Sequence, residues 1–205
     1  MAKPVTRSLL MFSSYSSDFT IVWSEYVERE ADRRVRPGEA AARSVRVRAD
    51  SELAPTGGEL SRFPKTDPKD RQVLADAVAA GAAFIVTEDV DDFDPGELAA
   101  CGVAAVNPDL FLAERVATAA YVEAVRRMAA RMSRPARTPS QLHVRIGRQH
   151  PMTVYAHKAA FEVEPDAAVN NPPAVLYRGG RCLRCLRNGT PLALGVCDAC
   201  RTAEE

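Results

Sequence analysis

Apolar and polar positions in the first half of the chain switch repeatedly between strand-like and helix-like spacing. Leu9 to Ser16 reads as a helix, and Phe19-Thr20-Ile21-Val22-Trp23 is a short run rich in β-branched and aromatic residues, the mark of a buried strand. Ser24 offers a capping oxygen to a helix over residues 25–34. Asp67 and Pro68 open another helix, with Val73, Leu74, Ala77 and Val78 as its apolar stripe and Gly81 as its stop. Phe84 to Thr87 is a strand, Asp94-Pro95 to Gly102 a short helix, and Val103 to Val106 a further strand. Asn107-Pro108 starts a helix that can run to about Met132. Strands alternating with helices at this spacing predict an α/β fold, a parallel sheet covered by helices.

Beyond this block the pattern changes. From Ala124 to Lys158 there is no acidic residue, but Arg126, Arg127, Arg131, Arg134, Arg137, Arg145 and Arg148 are present. Pro135 and Pro139 break the stretch, and residues 140–148 form one more helix. This basic stretch is a solvated helix face, a phosphate-tracking surface, or a seat for an acidic partner. His143, His150 and His157 lack mutual metal-ligand spacing and are expected at the surface. Residues 162–173 are rich in Pro and Asn and read as a linker.

Composition narrows the classes. The 205 residues carry 27 basic and 27 acidic side chains, so overall charge does not announce a nucleic-acid binder. No apolar run reaches the length of a membrane span, and the start lacks a secretory core, so the expected location is the cytoplasm, with no membrane partner. Four of the five cysteines fall in the last 25 residues, which suits a metal in a reducing compartment better than disulfides.

Cys182-x-x-Cys185 and Cys197-x-x-Cys200 form two knuckles eleven residues apart. Four thiolates at this spacing can close a tetrahedron around Zn²⁺. Two disulfides or four free thiols are the alternatives. Leu192, Leu194 and Val196 alternate as a small strand between the knuckles, and Gly195 precedes the second. The module is a structural staple or, with Arg178, Arg181, Arg184, Arg187 and Arg201 around it, a nucleic-acid contact. Cys101 reads as a small buried residue before Gly102.

Acidic residues of the first block are also suggestively placed. Glu30 shares a helix face with Tyr26, Val27 and Ala31, whereas Glu25, Glu28 and Arg29 do not. Asp70 lies in the first turn of its helix, where a carboxylate is favoured. Asp89 and Asp92 follow the strand ending at Thr87, and ligands gather at the carboxyl ends of parallel strands. The plain reading is a solvated loop and a dipole-complementing acid. The sharper one is a shared divalent-cation site, because converging carboxylates need a hard cation between them.

The string DPKDRQVLADAVAAGAAFIVTEDVDDF, followed by GVAAVNPDLFL and preceded by WSEYVERE, resembles PIN domains of the bacterial VapC toxin type. The resemblance covers roughly residues 2–113 and implies a PIN-like parallel sheet between helices. It matches Glu30, Asp70, Asp89 and Asp92 to the family's acidic metal ligands and Thr87 to its supporting hydroxyl. It implies Mg²⁺ or Mn²⁺ and hydrolysis of RNA phosphodiesters by in-line attack of a metal-activated water. An antitoxin protein and a second copy of the chain are the implied partners. The organisation expected is a PIN-like domain over 1–113, an Arg-rich helical extension over 114–160, a linker over 161–178 and a zinc ribbon over 179–203. The family's first strand and its Asp have no counterpart here, so upstream in-frame DNA is expected to encode an apolar strand ending in Asp; otherwise the chain is a degenerate nuclease. The alternative function is a non-catalytic PIN-like module that holds RNA or a protein, with the zinc ribbon as structure.

Overall fold

The computed structural model of the chain describes residues 4–33, 35, 41–48, 51–133, 135–161, 175–189 and 192–203. Within them the chain is mixed α/β. The elements are α1 (Pro4–Ser14), β1 (Val22–Trp23), α2 (Glu25–Asp32), α3 (Ala42–Arg48), β2 (Glu52–Leu53), α4 (Arg71–Ala79) and β3 (Phe84–Val86). They continue with α5 (Pro95–Cys101), β4 (Ala104–Val106), α6 (Pro108–Arg115), α7 (Thr118–Arg131), α8 (Pro139–Ile146) and α9 (Pro151–Ala156). Last come β5 (Tyr177–Gly179), β6 (Leu192–Ala193), β7 (Val196–Cys197) and α10 (Asp198–Thr202). Among the described residues no helix is long and apolar enough to cross a membrane. The expected linker at 162–173 lies outside the described residues.

The chain divides into two compact units. The first comprises the described parts of 20–107 and 175–205. β3 and β4 pair in parallel, Phe84 with Ala104 and Val86 with Val106. β5 then adds to β4 antiparallel, Gly179 opposite Ala104 and Tyr177 opposite Val106. The sheet is therefore mixed, not wholly parallel, and Tyr177 and Arg178, expected in the linker, are strand residues. Gly179 is required here: at φ +131° it lies so close that a Cβ would come within 2.7 Å of the Ala104 Cβ. β1 pairs with β2 in a separate parallel ladder, so Val22–Trp23 and Phe84–Val86 belong to different sheets.

Local chemistry explains the helix ends. The Ser24 hydroxyl accepts from Val27 N–H at 3.1 Å and starts α2. The Asp94 carboxylate accepts from Gly96 and Glu97 N–H, both at 3.0 Å, and Gly102 closes α5 in the left-handed conformation at φ +67°. α4 starts a turn later than the pattern predicts. The Asp67 carbonyl accepts from Asp70 and Arg71 N–H, so residues 68–70 form a preceding turn and Asp70 stands at the N-cap. The core of this unit gathers Phe63, Leu74, Ile85, Val90, Phe93, Leu98, Val103 and Ala105.

The second unit comprises the described parts of 2–19 and 108–174, and is wholly helical. The long helix expected from Pro108 is two helices, α6 and α7, interrupted at Val116-Ala117. Both faces of that break are used: Leu112 and Val116 lie in the same core as Leu9, Tyr121, Val125, Leu142, Ile146, Val154 and Phe161. The Asp109 carboxylate accepts from Met152 N–H at 3.0 Å and Thr153 N–H at 2.8 Å, capping α9 from a distance. The three histidines are buried, not at the surface. His143 meets the Tyr121 hydroxyl at 3.0 Å and stacks on Phe161. His157 stacks on Tyr121, and His150 meets the Thr6 hydroxyl at 2.8 Å. Tertiary packing, which a spacing argument does not contain, recruited them as aromatic core residues.

Candidate metal centres

The cysteine centre is built by a knuckle and a hairpin. Cys182 N–H donates to Arg187 O, and Leu186 N–H returns to Cys182 O, folding the first C-x-x-C back on itself. Leu192 to Val196 is not one strand. β6 and β7 pair antiparallel, Ala193 opposite Val196, around a two-residue loop of Leu194 and Gly195 with φ +48° and +74°. Two positive φ values in such a loop match the twist of the flanking strands. Gly195 is needed twice, since a Cβ there would come within 2.7 Å of both Leu183 and Tyr177. β7 delivers Cys197, and the first turn of α10 delivers Cys200.

Four ligand sulfurs thereby lie within 4.8 Å of one another, close enough to hold a metal ion such as zinc. The Cys185 and Cys197 sulfurs are 3.7 Å apart, which suits the roughly 3.8 Å edge of a tetrahedron with Zn–S near 2.3 Å. All are free thiols, so the disulfide alternative is not what the structure contains. Cys182 and Cys197 are buried. Burial pushes the Cys182 thiol up, but backbone N–H groups of Cys185, Cys197 and Arg184 at its sulfur outweigh this and bring it down to about 6. Hydrogen bonding with the Cys197 side chain, then burial, pushes Cys200 up to about 12. Thiolates this close repel unless a cation lies among them.

Four arginines of this module bond within the fold. Arg181 donates to Gly102 O at 2.8 Å, and Arg184 to Cys200 O at 3.2 Å. Arg201 pairs with Asp198. Arg178 reaches out of β5 to Asp91 O at 2.9 Å and Phe93 O at 2.8 Å. Cys101 is half-buried at the end of α5.

The carboxylates are arranged less completely. Asp70 and Asp92 stand side by side: burial first, then the Asp92 charge, raise Asp70 to about 6. The Lys69 ammonium lies 3.0 Å from Asp92 Oδ2, and the hydrogen bond and charge of Asp92 raise its pKa. Asp70 Oδ2 is buried without a hydrogen-bond partner. Asp92 is held through its backbone. Its carbonyl accepts from Asp67 N–H at 2.8 Å, while Arg178 takes the carbonyls on either side. Val90 and Phe93, fully buried, anchor the segment.

Asp89 is exposed, and its N–H donates to the Thr87 hydroxyl at 3.1 Å. Glu30 is half-buried on α2. Among the described residues the four cysteines form the grouping of three or more metal-ligating side chains; Glu30 and Asp89 are not drawn into such a group with Asp70 and Asp92. Glu28, expected off the inward face, is buried and pairs with Arg46 of α3. Helix α3 was not foreseen, so its partner face on α2 was invisible. Lys69 and Glu97 carry roles that the sequence reading did not assign, and Arg178, expected beside the cysteine module, serves the Asp92 loop instead. The Glu97 carboxylate accepts from Lys65 N–H at 2.8 Å and Thr66 N–H at 3.0 Å, setting the turn before Asp67. The spacing Asp67-Pro-Lys-Asp70 carried a signal for the acid–lysine cluster; nothing local signalled Arg178.

Comparison with protein-family models, with curated proteins and with solved structures found no match for this chain.

Proposed function

We propose that the chain is a PIN-type endoribonuclease dependent on Mg²⁺ or Mn²⁺, with zinc in the four-cysteine ribbon. One observation carries the nuclease reading: Asp70 and Asp92 adjoin in the segments at the carboxyl end of β3, and Asp70 is raised to about 6. Such a pair, with a buried partnerless oxygen on Asp70, fits a hard cation. Asp70 and Asp92 would hold it. A cation bound there supplies charge stabilisation for a phosphate and lowers the pKa of a bound water. The protein's own part is positioning. Lys69 steadies Asp92, Thr87 pins the Asp89 backbone, and Arg178 fixes the loop. RNA is the substrate in this reading, and an antitoxin or a second copy of the chain is a proposed partner.

A second reading, a non-catalytic RNA- or protein-binding module, is favoured by one feature: Glu30 and Asp89 stay outside the Asp70–Asp92 pair. A Mg²⁺ titration followed by calorimetry, beside cleavage of a fluorescent RNA, separates the two. The nuclease reading expects cation binding and cleavage, both lost in Asp70→Asn. RNA retention without cleavage and without cation binding would establish the second reading instead.

A further inference from the structure

The helical unit carries a groove of about 410 Å³ along α8, lined by Ala136, Arg137, Gln141, Val144, Arg145 and Arg148. Residues 141, 144 and 145 share one face of α8 by i, i+3, i+4 spacing, and Arg148 follows in the turn just past its end. The opposite face of α8 buries Leu142, His143 and Ile146 in the core. The groove is therefore a rigid side of a packed helix.

Its chemistry is one-signed. Among the described residues three guanidinium groups line it and no carboxylate does. Residues 124–158 contribute no acid at all. Arg145 and Arg148 suit the negative end of α8 in any case. Arg137 does not, because it precedes the helix start at Thr138. Its Nε is buried without a hydrogen-bond partner, an unmet donor that a ligand oxygen would satisfy. Gln141 is pre-oriented as well. Its side-chain oxygen accepts from Thr138 N–H at 3.1 Å in a capping box, so its amide NH₂ is the end left to donate. Ala136 and Val144 add an apolar patch between these donors.

From this we infer that the groove binds a phosphorylated nucleoside, its phosphate on Arg137, Arg145 and Gln141 and its base on Ala136 and Val144. Planar guanidinium forks match phosphate oxygens, and the volume lies in the range of small-ligand sites. The ligand is a free mononucleotide or the phosphorylated end of an RNA strand, which share this chemistry. An acidic peptide would satisfy the arginines but has no use for the apolar patch. The site lies within the helical unit and does not depend on the nuclease reading.

Calorimetry on the full chain tests this with six probes: inorganic phosphate, a nucleoside monophosphate, its unphosphorylated nucleoside, a short RNA with a 5′-phosphate, the same RNA without it, and an oligoglutamate peptide. The monophosphate should bind more tightly than phosphate or nucleoside alone. Arg137→Gln and Arg145→Gln should each weaken it about tenfold, the loss of one charge-assisted bond. Arg137→Lys should recover part of that. Circular dichroism checks that each variant is folded, and Val144→Glu, placing a carboxylate in the groove, should abolish binding without unfolding α8. Preference for 5′-phosphorylated RNA over the monophosphate names the strand end as the source; equal affinity names the free nucleotide. No binding of any phosphorylated probe at millimolar concentration, binding unaltered in both glutamine variants, or binding of oligoglutamate alone would overturn the inference.

Discussion

Replacing Arg178 by Met keeps an unbranched apolar stem in β5 and removes one guanidinium. That guanidinium donates to Asp91 O at 2.9 Å and Phe93 O at 2.8 Å, two carbonyls that flank Asp92. Hydrogen bonds from a charged donor contribute about 1.5–3 kcal/mol when buried. The bond to Phe93 O is partly buried and the bond to Asp91 O is exposed. Counting the first near the low end and the second at about 0.5 kcal/mol, the substitution should cost about 2 kcal/mol. A second effect follows from geometry. With its flanking carbonyls released, Asp92 keeps the Asp67 N–H, its own N–H bond to Asp89 O and the Lys69 ammonium, but loses the clamp on both sides. Its carboxylate should move from Asp70, and the raised Asp70 pKa should fall toward its ordinary value. Urea denaturation of the zinc-loaded protein measures the first effect, and carboxyl ¹³C titration of Asp70 the second. A variant within about 0.5 kcal/mol of the parent, with Asp70 still titrating near 6, would refute the account of this loop.

Acid should act oppositely on the two units. Asp70 is raised from 3.8 to about 6, so the stability it confers is fully present below pH 3.8 and lost as pH rises through 6. Its half-exposed position limits the effect to about 1–1.5 kcal/mol, and Asp70→Asn should stabilise the sheet unit by that amount at pH 7.5 in a urea melt. His143 is fully buried and lowered from 6.5 to about 4, chiefly by burial and then by His157. Its contribution is present above pH 6.5 and lost as pH falls through 4, about 3 kcal/mol in all, and His143→Phe should flatten that acid limb in the helical unit when followed by amide exchange at Tyr121. Stripping any metal held by the four cysteines with a chelator should disturb β5 as well as the knuckles, read as accelerated amide exchange at Ala105 and Val106. Retained protection there would show that the sheet is independent of the metal.

Elements whose ends are fixed by local chemistry were legible in the sequence. Ser24, Asp94 and Gly102 each carry their cap in their own side chain or φ preference, and the helices they bound were placed within a residue or two. The break between α6 and α7 was not legible, because residues 116–117 contain no Gly or Pro; packing of Val116 and Tyr121 into one core decides it. β5 was hidden for a related reason. Tyr177-Arg178-Gly179 is too short for a strand pattern and becomes one only against Ala104 to Val106. The cysteine centre needed only spacing. The acidic centre needed Asp70 and Asp92 to meet across 22 positions of chain, and the sequence located both without showing that Glu28, not Glu30, takes the buried pairing on α2.

The cysteine module is therefore not an appendage behind a linker. A staple tied off by flexible chain could bind or lose metal without consequence for the body it trails. Here Gly195 lies against Tyr177, Tyr177 pairs in β5 with Val106, and Arg181 closes on the carbonyl that ends α5. β5 also covers the edge of β4, whose backbone groups would otherwise be open to pairing with another chain. Free energy released by metal binding at the four sulfurs is folding free energy for whatever depends on them. Through Tyr177 and Arg178 that includes the edge of the main sheet and the loop of Asp92. The sulfur centre and the carboxylate pair are chemically unrelated, yet one strand of three residues ties the geometry of the second to the folding of the first.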